Sequence, residues 1–239
     1  MGIFALPFSS WIAGTPQSLA NLFLFAALLV SLADPRITPA ALLALAALLT
    51  HVLAGIPALI FVGIRSVGRL ESPRVRRAGI IALLLAGAIG LPALFLLAGG
   101  AKLMPASASA VQFIPYLRNR FDLFRDLAYL WGWNAPIILG SGALAGWFVL
   151  KARRTAGAPF LSAGIATLLS AAFVSVFLQF PKLPLYEQGD YGARLISAAA
   201  LMFLPLFLVA LAALAERATS TQKKAALALL LGGAITASV

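Results

Sequence analysis

Residues 78–98 read AGIIALLLAGAIGLPALFLLA, a run of 21 residues without a charged side chain. A helix of about 20 mostly apolar residues can cross the hydrocarbon core of a bilayer, which is about 30 Å thick. The rest of the 239-residue chain is similar, since 62% of it is hydrophobic, 10% is charged and its mean hydropathy is +1.00. This composition predicts an all-α polytopic membrane protein. It excludes coiled coils, disulfide-linked secreted scaffolds and nucleic-acid-binding modules.

Six runs are long enough to span a membrane, and a seventh is partial. These runs lie at 17–33, 38–64, 78–98, 134–150, 158–180, 194–215 and 225–239. We expect a kink near Pro57 in the second run. The last run, at 1.5 Å per residue, is only about 22 Å long, and no polar stop follows it. We interpret residues 1–239 as a single transmembrane domain that is a piece of a longer chain, with further segments or partner subunits to complete it.

The loop charges predict an orientation. Connections 65–77, 151–157 and 216–224 carry 11 basic and 2 acidic residues, whereas the remaining connections carry 7 basic and 5 acidic residues. If the six runs alternate, these three connections lie on one side. The positive-inside rule then places them in the cytoplasm. The sequence therefore predicts a multi-pass protein of a bacterial inner membrane, with the Asp34 turn and the 186–194 loop on the outer side.

The long connection 99–133 contains an amphipathic segment at about 114–131. Its apolar residues recur at alternating spacings of three and four, which is typical of one helical face. Arg118 lies on the opposite, polar face. Such a helix is expected to lie along the outer membrane interface, either as a packing element or as a gate over a substrate.

Three carboxylates on the predicted outer side are the candidate catalytic groups: Asp34, Glu187 and Asp190. A carboxylate pair beside an arginine can hold a divalent metal and a lipid-linked phosphate, or act as a general base. Arg194 supplies that arginine in the Tyr186–Arg194 loop. Plainer roles are turn formation before a proline for Asp34 and an i,i+4 ion pair with Arg194 for Asp190.

Four further side chains are candidates for substrate binding. Tyr186 and Tyr191 can stack on a sugar ring or anchor the loop at the interface. Arg118 can bind a phosphate at the headgroup level. His51, the only histidine, is either a functional intramembrane group or a structural one that bonds the carbonyl freed by Pro57.

Three stretches resemble the membrane regions of bacterial glycosyltransferases of the GT-C class, which use lipid-phosphate-linked sugars. They are the Thr15-Pro16 pair, the Thr50-His51-Val-Leu-Ala-Gly-Ile-Pro57 stretch and the Tyr186–Arg194 loop. The resemblance implies an essential carboxylate in the first outward loop, which is where Asp34 is predicted to lie. It also implies membrane lipids and a lipid-phosphate-linked sugar as ligands. We therefore expect an outward pocket bounded by the Asp34 turn, the 186–194 loop and the amphipathic helix.

Two other functions stay open. Proline-broken spans and His51 are also compatible with a transporter of lipids or small molecules, although no carboxylate lies in the middle of a run to couple an ion. The chain could equally be a non-catalytic membrane subunit of a larger complex.

Overall fold

A computed structural model describes residues 16–103, 157–182 and 190–217, with isolated positions between 142 and 151 and at 221. The described part is nearly all helical. Its helices are α1 (Pro16–Ala33), α2 (Thr38–Thr50), α3 (Val52–Val67), α4 (Pro73–Leu97), α5 (Ala158–Phe177) and α6 (Asp190–Arg217). Two short strands, β1 (Lys102–Leu103) and β2 (Leu178–Gln179), pair antiparallel, with Lys102 opposite Gln179.

Three helices are long and apolar enough to cross a membrane, which agrees with the predicted membrane helix bundle. These segments are Pro16–Ala33, Pro73–Leu97 and Ala158–Ser175. The expected six full spans are more than the described residues contain, because the other apolar helical segments, Thr38–Thr50, Val52–Val67 and Arg194–Val209, are shorter. The predicted helix at 114–131, the seventh run and most of run 134–150 lie outside the described residues.

The predicted run 38–64 is two helices rather than one. The backbone at His51 is extended, with φ −161° and ψ 126°, and it separates α2 from α3. A Cβ added at Gly55 would lie 2.0 Å from Leu48 Cα, so the two backbones approach so closely that only glycine fits. The boundary between the two helices lies at His51, six residues before Pro57, and Pro57, where a kink was expected, lies inside α3.

Hydrogen bonds at the far end of α3 show that α2 and α3 are antiparallel. The Arg65 guanidinium donates to the Ser31 hydroxyl at 2.9 Å and to the Asp34 carbonyl at 2.7 Å. Arg69 donates to the Pro35 carbonyl. The end of α3 therefore lies beside the α1–α2 turn, at what we call the basic end (turn 34–37, the end of α3, loop 68–72 and the first turns of α4).

This arrangement corrects the predicted sidedness of the first turn. Asp34 and Arg36 were expected on the side opposite connection 65–77, and the contacts of Arg65 place them on the same side. The reason is the reversal of the chain at His51, which the alternation of six runs did not include. The charge balance is unaffected, because the turn moves one acidic and one basic residue together.

Helix α3 lies at the centre of the bundle and packs against all five other helices. Its alanines Ala54 and Ala58 and the ring of Phe61 are fully buried against Ala44 and Ala47 of α2 and against apolar side chains of α1, α5 and α6. Small residues at such positions let helices approach closely. The core is therefore built around α3, which is shorter than the three helices that can cross a membrane.

Candidate functional site

The turn at His51 forms one end of the bundle. The backbone N–H of Leu53 donates to His51 Nδ1 at 3.3 Å, so the imidazole caps the start of α3. The expected bond to a carbonyl freed by Pro57 is thus replaced by a bond to a backbone amide. Because Nδ1 accepts a hydrogen bond, the neutral ring carries its proton on Nε2.

Arg194 of α6 is near enough to this turn for its charge to act on His51. His51 lies outside both flanking helices, and its burial lowers the pKa of its imidazole, which the positive charge of Arg194 lowers further. Arg194 itself is half-buried. The structure therefore brings together a neutral imidazole and a guanidinium, two of the predicted substrate-binding groups.

An aromatic cluster joins three elements at this same end. The ring centroid of Tyr191 lies 5.1 Å from that of Phe95 at the end of α4, and 4.6 Å from that of Phe180 after β2. Phe95 and Phe180 meet edge to face at 5.2 Å. Tyr191, predicted to stack on a sugar or to anchor the loop, thus packs against other rings of the protein.

The antiparallel packing of α3 on α4 places His51 level with this cluster. Gly79 of α4 faces Val67 near the end of α3, and Gly87 faces Ile60 in the middle of α3. Residues nearer the start of α3 therefore lie opposite residues nearer the end of α4. The same register brings His51 beside the end of α4, where Phe95 lies. We call this region, formed by the start of α1, the His51 turn, the end of α4 and the start of α6, the polar end.

Helix α1 contributes a buried amide pair to the polar end. Gln17 and Asn21 are 4% and 2% exposed, and Gln17 Nε2 donates to Asn21 Oδ1 at 3.1 Å. Within the described residues, Gln17 Oε1 and Asn21 Nδ2 have no hydrogen-bond partner. The two amides continue the buried stripe of Leu24 and Leu28, so the interior changes from apolar to polar toward this end.

The amide pair was missed by the sequence reasoning, which weighed only ionisable groups within the runs. Its signal was available, because Gln17 and Asn21 are four residues apart and therefore share one helical face. Buried polar atoms without partners carry a large desolvation cost. Their presence inside an otherwise apolar helix indicates a polar environment at this end of the bundle.

Asp34 does not belong to this region. The length of α3, about 24 Å, separates the turn that holds Asp34 from the His51 turn. Its carboxylate accepts a hydrogen bond from the backbone N–H of Arg36 at 2.8 Å, and its carbonyl accepts one from Arg65. This hydrogen bond is the turn-forming role that was considered for Asp34. The prediction of a pocket shared by Asp34 and the 186–194 loop is wrong, because Asp34 lies at the opposite end of α3 from the start of α6.

The remaining candidates fall largely outside the described residues. Glu187, Tyr186 and Arg118 lie outside them, and Asp190 is described only as the first residue of α6. Among the described residues, no group of three or more histidine or carboxylate side chains could hold a metal ion.

Comparisons with known proteins give no family for this chain. No protein-family model, curated protein or solved structure matches it.

Proposed function

We propose that the chain is the multi-pass membrane region of a protein that binds an anionic, lipid-linked substrate at its polar end. The observation that supports this proposal most directly is that His51 and the half-buried Arg194 share the polar end, where the charge of Arg194 acts on the imidazole. A guanidinium and a neutral N–H donor are both hydrogen-bond donors to phosphate oxygens. Partial exclusion of water strengthens such bonds.

The class of substrate that we propose is a lipid-phosphate-linked sugar, used by a glycosyltransferase of the GT-C type. The resemblance of the Thr50–Pro57 and Tyr186–Arg194 segments to that class motivates this choice, and the described residues of both segments lie at the polar end. Asp34 is not part of the proposal, because it lies at the basic end. Glu187 and Asp190 are the candidates for its acid–base chemistry.

The orientation that we propose places the basic end in the cytoplasm of a bacterial inner membrane and the polar end on the outer side. The described part of the basic end includes Arg36, Arg65 and Arg69, together with three arginines in the first turns of α4. A concentration of arginine near the ends of apolar helices is typical of cytoplasmic connections.

Binding of a long-chain isoprenoid phosphate to the purified chain in detergent micelles tests the polar end. We expect Arg194→Gln to weaken binding about tenfold or more, since hydrogen bonds to charged groups contribute about 1.5–3 kcal/mol. Lys182→Gln is the matched control, because Lys182 is an exposed cation that follows β2 at the same end. Unchanged binding by Arg194→Gln, in protein that melts like the wild type, would rule out the proposed phosphate site.

A second experiment separates the binding role from the enzymatic role. Sugar transfer by the complete protein is measured for Glu187→Gln and Asp190→Asn, each of which removes one candidate carboxylate. We expect at least one of them to lose more than about 100-fold of the rate if it acts as the general base or acid. Full activity in both variants, with Arg194→Gln still impaired in binding, would leave a lipid-binding protein of the transporter or subunit type.

A further inference from the structure

One face of α4 combines arginines with an exposed apolar stripe. Arg74 and Arg77 are exposed in the first turns of the helix. Ile81, Leu85 and Ile89 follow at intervals of four residues and are 56%, 55% and 52% exposed. Residues three or four positions apart lie on the same side of a helix, so the stripe runs from the two arginines toward the middle of α4.

The opposite face of α4 is the one that packs on the bundle. Gly79 faces Val67, the side chain of Leu83 faces Gly63, and Gly87 faces Ile60 and Ala166. Only three residues of this 25-residue helix are buried: Gly87, Leu91 and Pro92. The stripe is therefore turned away from every described helix that α4 contacts.

The charge around the stripe favours an anionic ligand. Segment 65–77 contains five arginines and one glutamate. Arg65 and Arg69 donate to oxygens of the 31–36 segment, which leaves the α4 arginines, among the described residues, as the exposed cations that adjoin the stripe.

We propose that an anionic phospholipid binds along this face of α4, with its phosphate on Arg74 and Arg77 and an acyl chain along Ile81, Leu85 and Ile89. The distance along the helix from Arg77 to Ile89 is about 18 Å at 1.5 Å per residue. One leaflet of the hydrocarbon core is about 15 Å deep. The stripe thus has the length of one acyl chain below a headgroup. A free phosphate has no acyl chain and would not contact the stripe. This inference is independent of the proposed function at the polar end.

The affinity of phosphatidylglycerol for the full chain tests this site, with the protein held in micelles of a neutral detergent. Arg77→Gln should weaken binding about fivefold, because one basic residue near an anionic lipid surface contributes about 1 kcal/mol. Arg36→Gln is the matched control, since Arg36 is an exposed arginine of the basic end but is not on α4. Equal losses in both variants would show a diffuse attraction and overturn the site.

Two further arms separate lipid from simpler ligands. Inorganic phosphate should not displace phosphatidylglycerol, and phosphatidylcholine should bind more weakly, because the site requires both an acyl chain and a net negative charge. Leu85→Ser should weaken lipid binding, whereas Leu42→Ser, at a leucine of α2 that is also more than half exposed, should not. Displacement by inorganic phosphate at the same concentration, or no effect of Leu85→Ser, would contradict a bound lipid.

Discussion

Helices α3 and α4 are neighbours in sequence and in space, yet they are built on different principles. Helix α3 has 16 residues, of which nine are buried, and it contacts every other described helix. Helix α4 has 25 residues, of which three are buried. The buried residues of α3 include two alanines and a glycine, which let it approach its neighbours closely, whereas α4 presents large aliphatic side chains to its surroundings.

The difference shows what hydropathy detects in a membrane bundle. A helix that faces lipid must be apolar around most of its surface and long enough to cross the core. A helix that is surrounded by protein can be shorter and can end in a polar turn, because neighbouring helices satisfy its backbone and side chains. Helix α4 meets the first description, and α3 meets the second.

The largest expected difference between variants concerns the side of the membrane from which cysteines placed around α2, α3 and α4 can be labelled. The chain has no cysteine, so single-cysteine variants can be labelled with an impermeant reagent in intact cells. Arg36→Cys and Leu70→Cys should react from the same side, because two helices lie between them, and Ala98→Cys should react from the other side, because α4 crosses once. We expect an all-or-none difference.

Reaction of Arg36→Cys from the side opposite Leu70→Cys would show that residues 38–64 form one span. The distinction between α3 as an enclosed helix and α4 as a membrane-crossing helix would then be wrong. The internal control is the pair Leu70→Cys and Ala98→Cys, which both topologies place on opposite sides. Labelling of Leu70→Cys from outside the cell would instead contradict the proposed orientation alone.

Much of the fold could be predicted from the sequence, and the break at His51 could not be located by the same criterion. Continuous hydropathy hides a turn of one residue, and Gly55 and Pro57 indicated a kink rather than a reversal. One signal was available. The 30 residues from Thr38 to Val67 would form a helix of about 45 Å, half as long again as the core of about 30 Å.

The candidate site was predictable only in part. His51 and Arg194 could be selected as rare ionisable groups beside apolar runs, and the structure brings them together. Asp34 was placed at the wrong end because each run was counted as one crossing. The Gln17–Asn21 pair was missed because neutral amides do not titrate, although burying them without partners is also unfavourable.

Two glycine substitutions test the packing difference and should have the next largest effect. A Cβ at Gly55 of α3 would meet backbone atoms of Leu48, the nearest at 2.0 Å, which cannot move without separating α2 from α3. Gly90 of α4 has no atom within 4 Å of an added Cβ. We expect Gly55→Ala to destabilise the protein by at least about 2 kcal/mol and Gly90→Ala to stabilise it by about 0.5–1 kcal/mol.

Thermal unfolding in detergent, followed by circular dichroism, measures both variants. A lower midpoint for Gly55→Ala and a higher midpoint for Gly90→Ala would support the distinction between the enclosed helix α3 and the exposed helix α4. A Gly55→Ala protein as stable as the wild type would show that α2 and α3 do not approach at Leu48, and the central position of α3 would then be wrong.

The smallest effect on stability is expected from a change of pH, and its cause is the different N-terminal caps of α3 and α4. Helix α3 is capped by His51, which titrates, whereas Ser72 at the start of α4 makes no side-chain cap bond. Burial and Arg194 lower the pKa of His51 in the folded protein, so the unfolded chain binds this proton more readily. Stability should therefore be fully present above the ordinary histidine pKa of about 6.5 and decrease as the pH falls below it.

Protonation also removes the Nδ1 lone pair that accepts from Leu53, so the cap is lost in the same step. The thermal midpoint of the wild type should fall between pH 7.5 and pH 5.5, and His51→Asn should flatten this dependence, because asparagine can cap a helix without titrating. His51 is the only histidine, and histidine is the side chain whose ordinary pKa falls within this interval. A wild type whose midpoint is constant, or an Asn variant with the same slope, would show that the start of α3 is no more sensitive to protons than the start of α4.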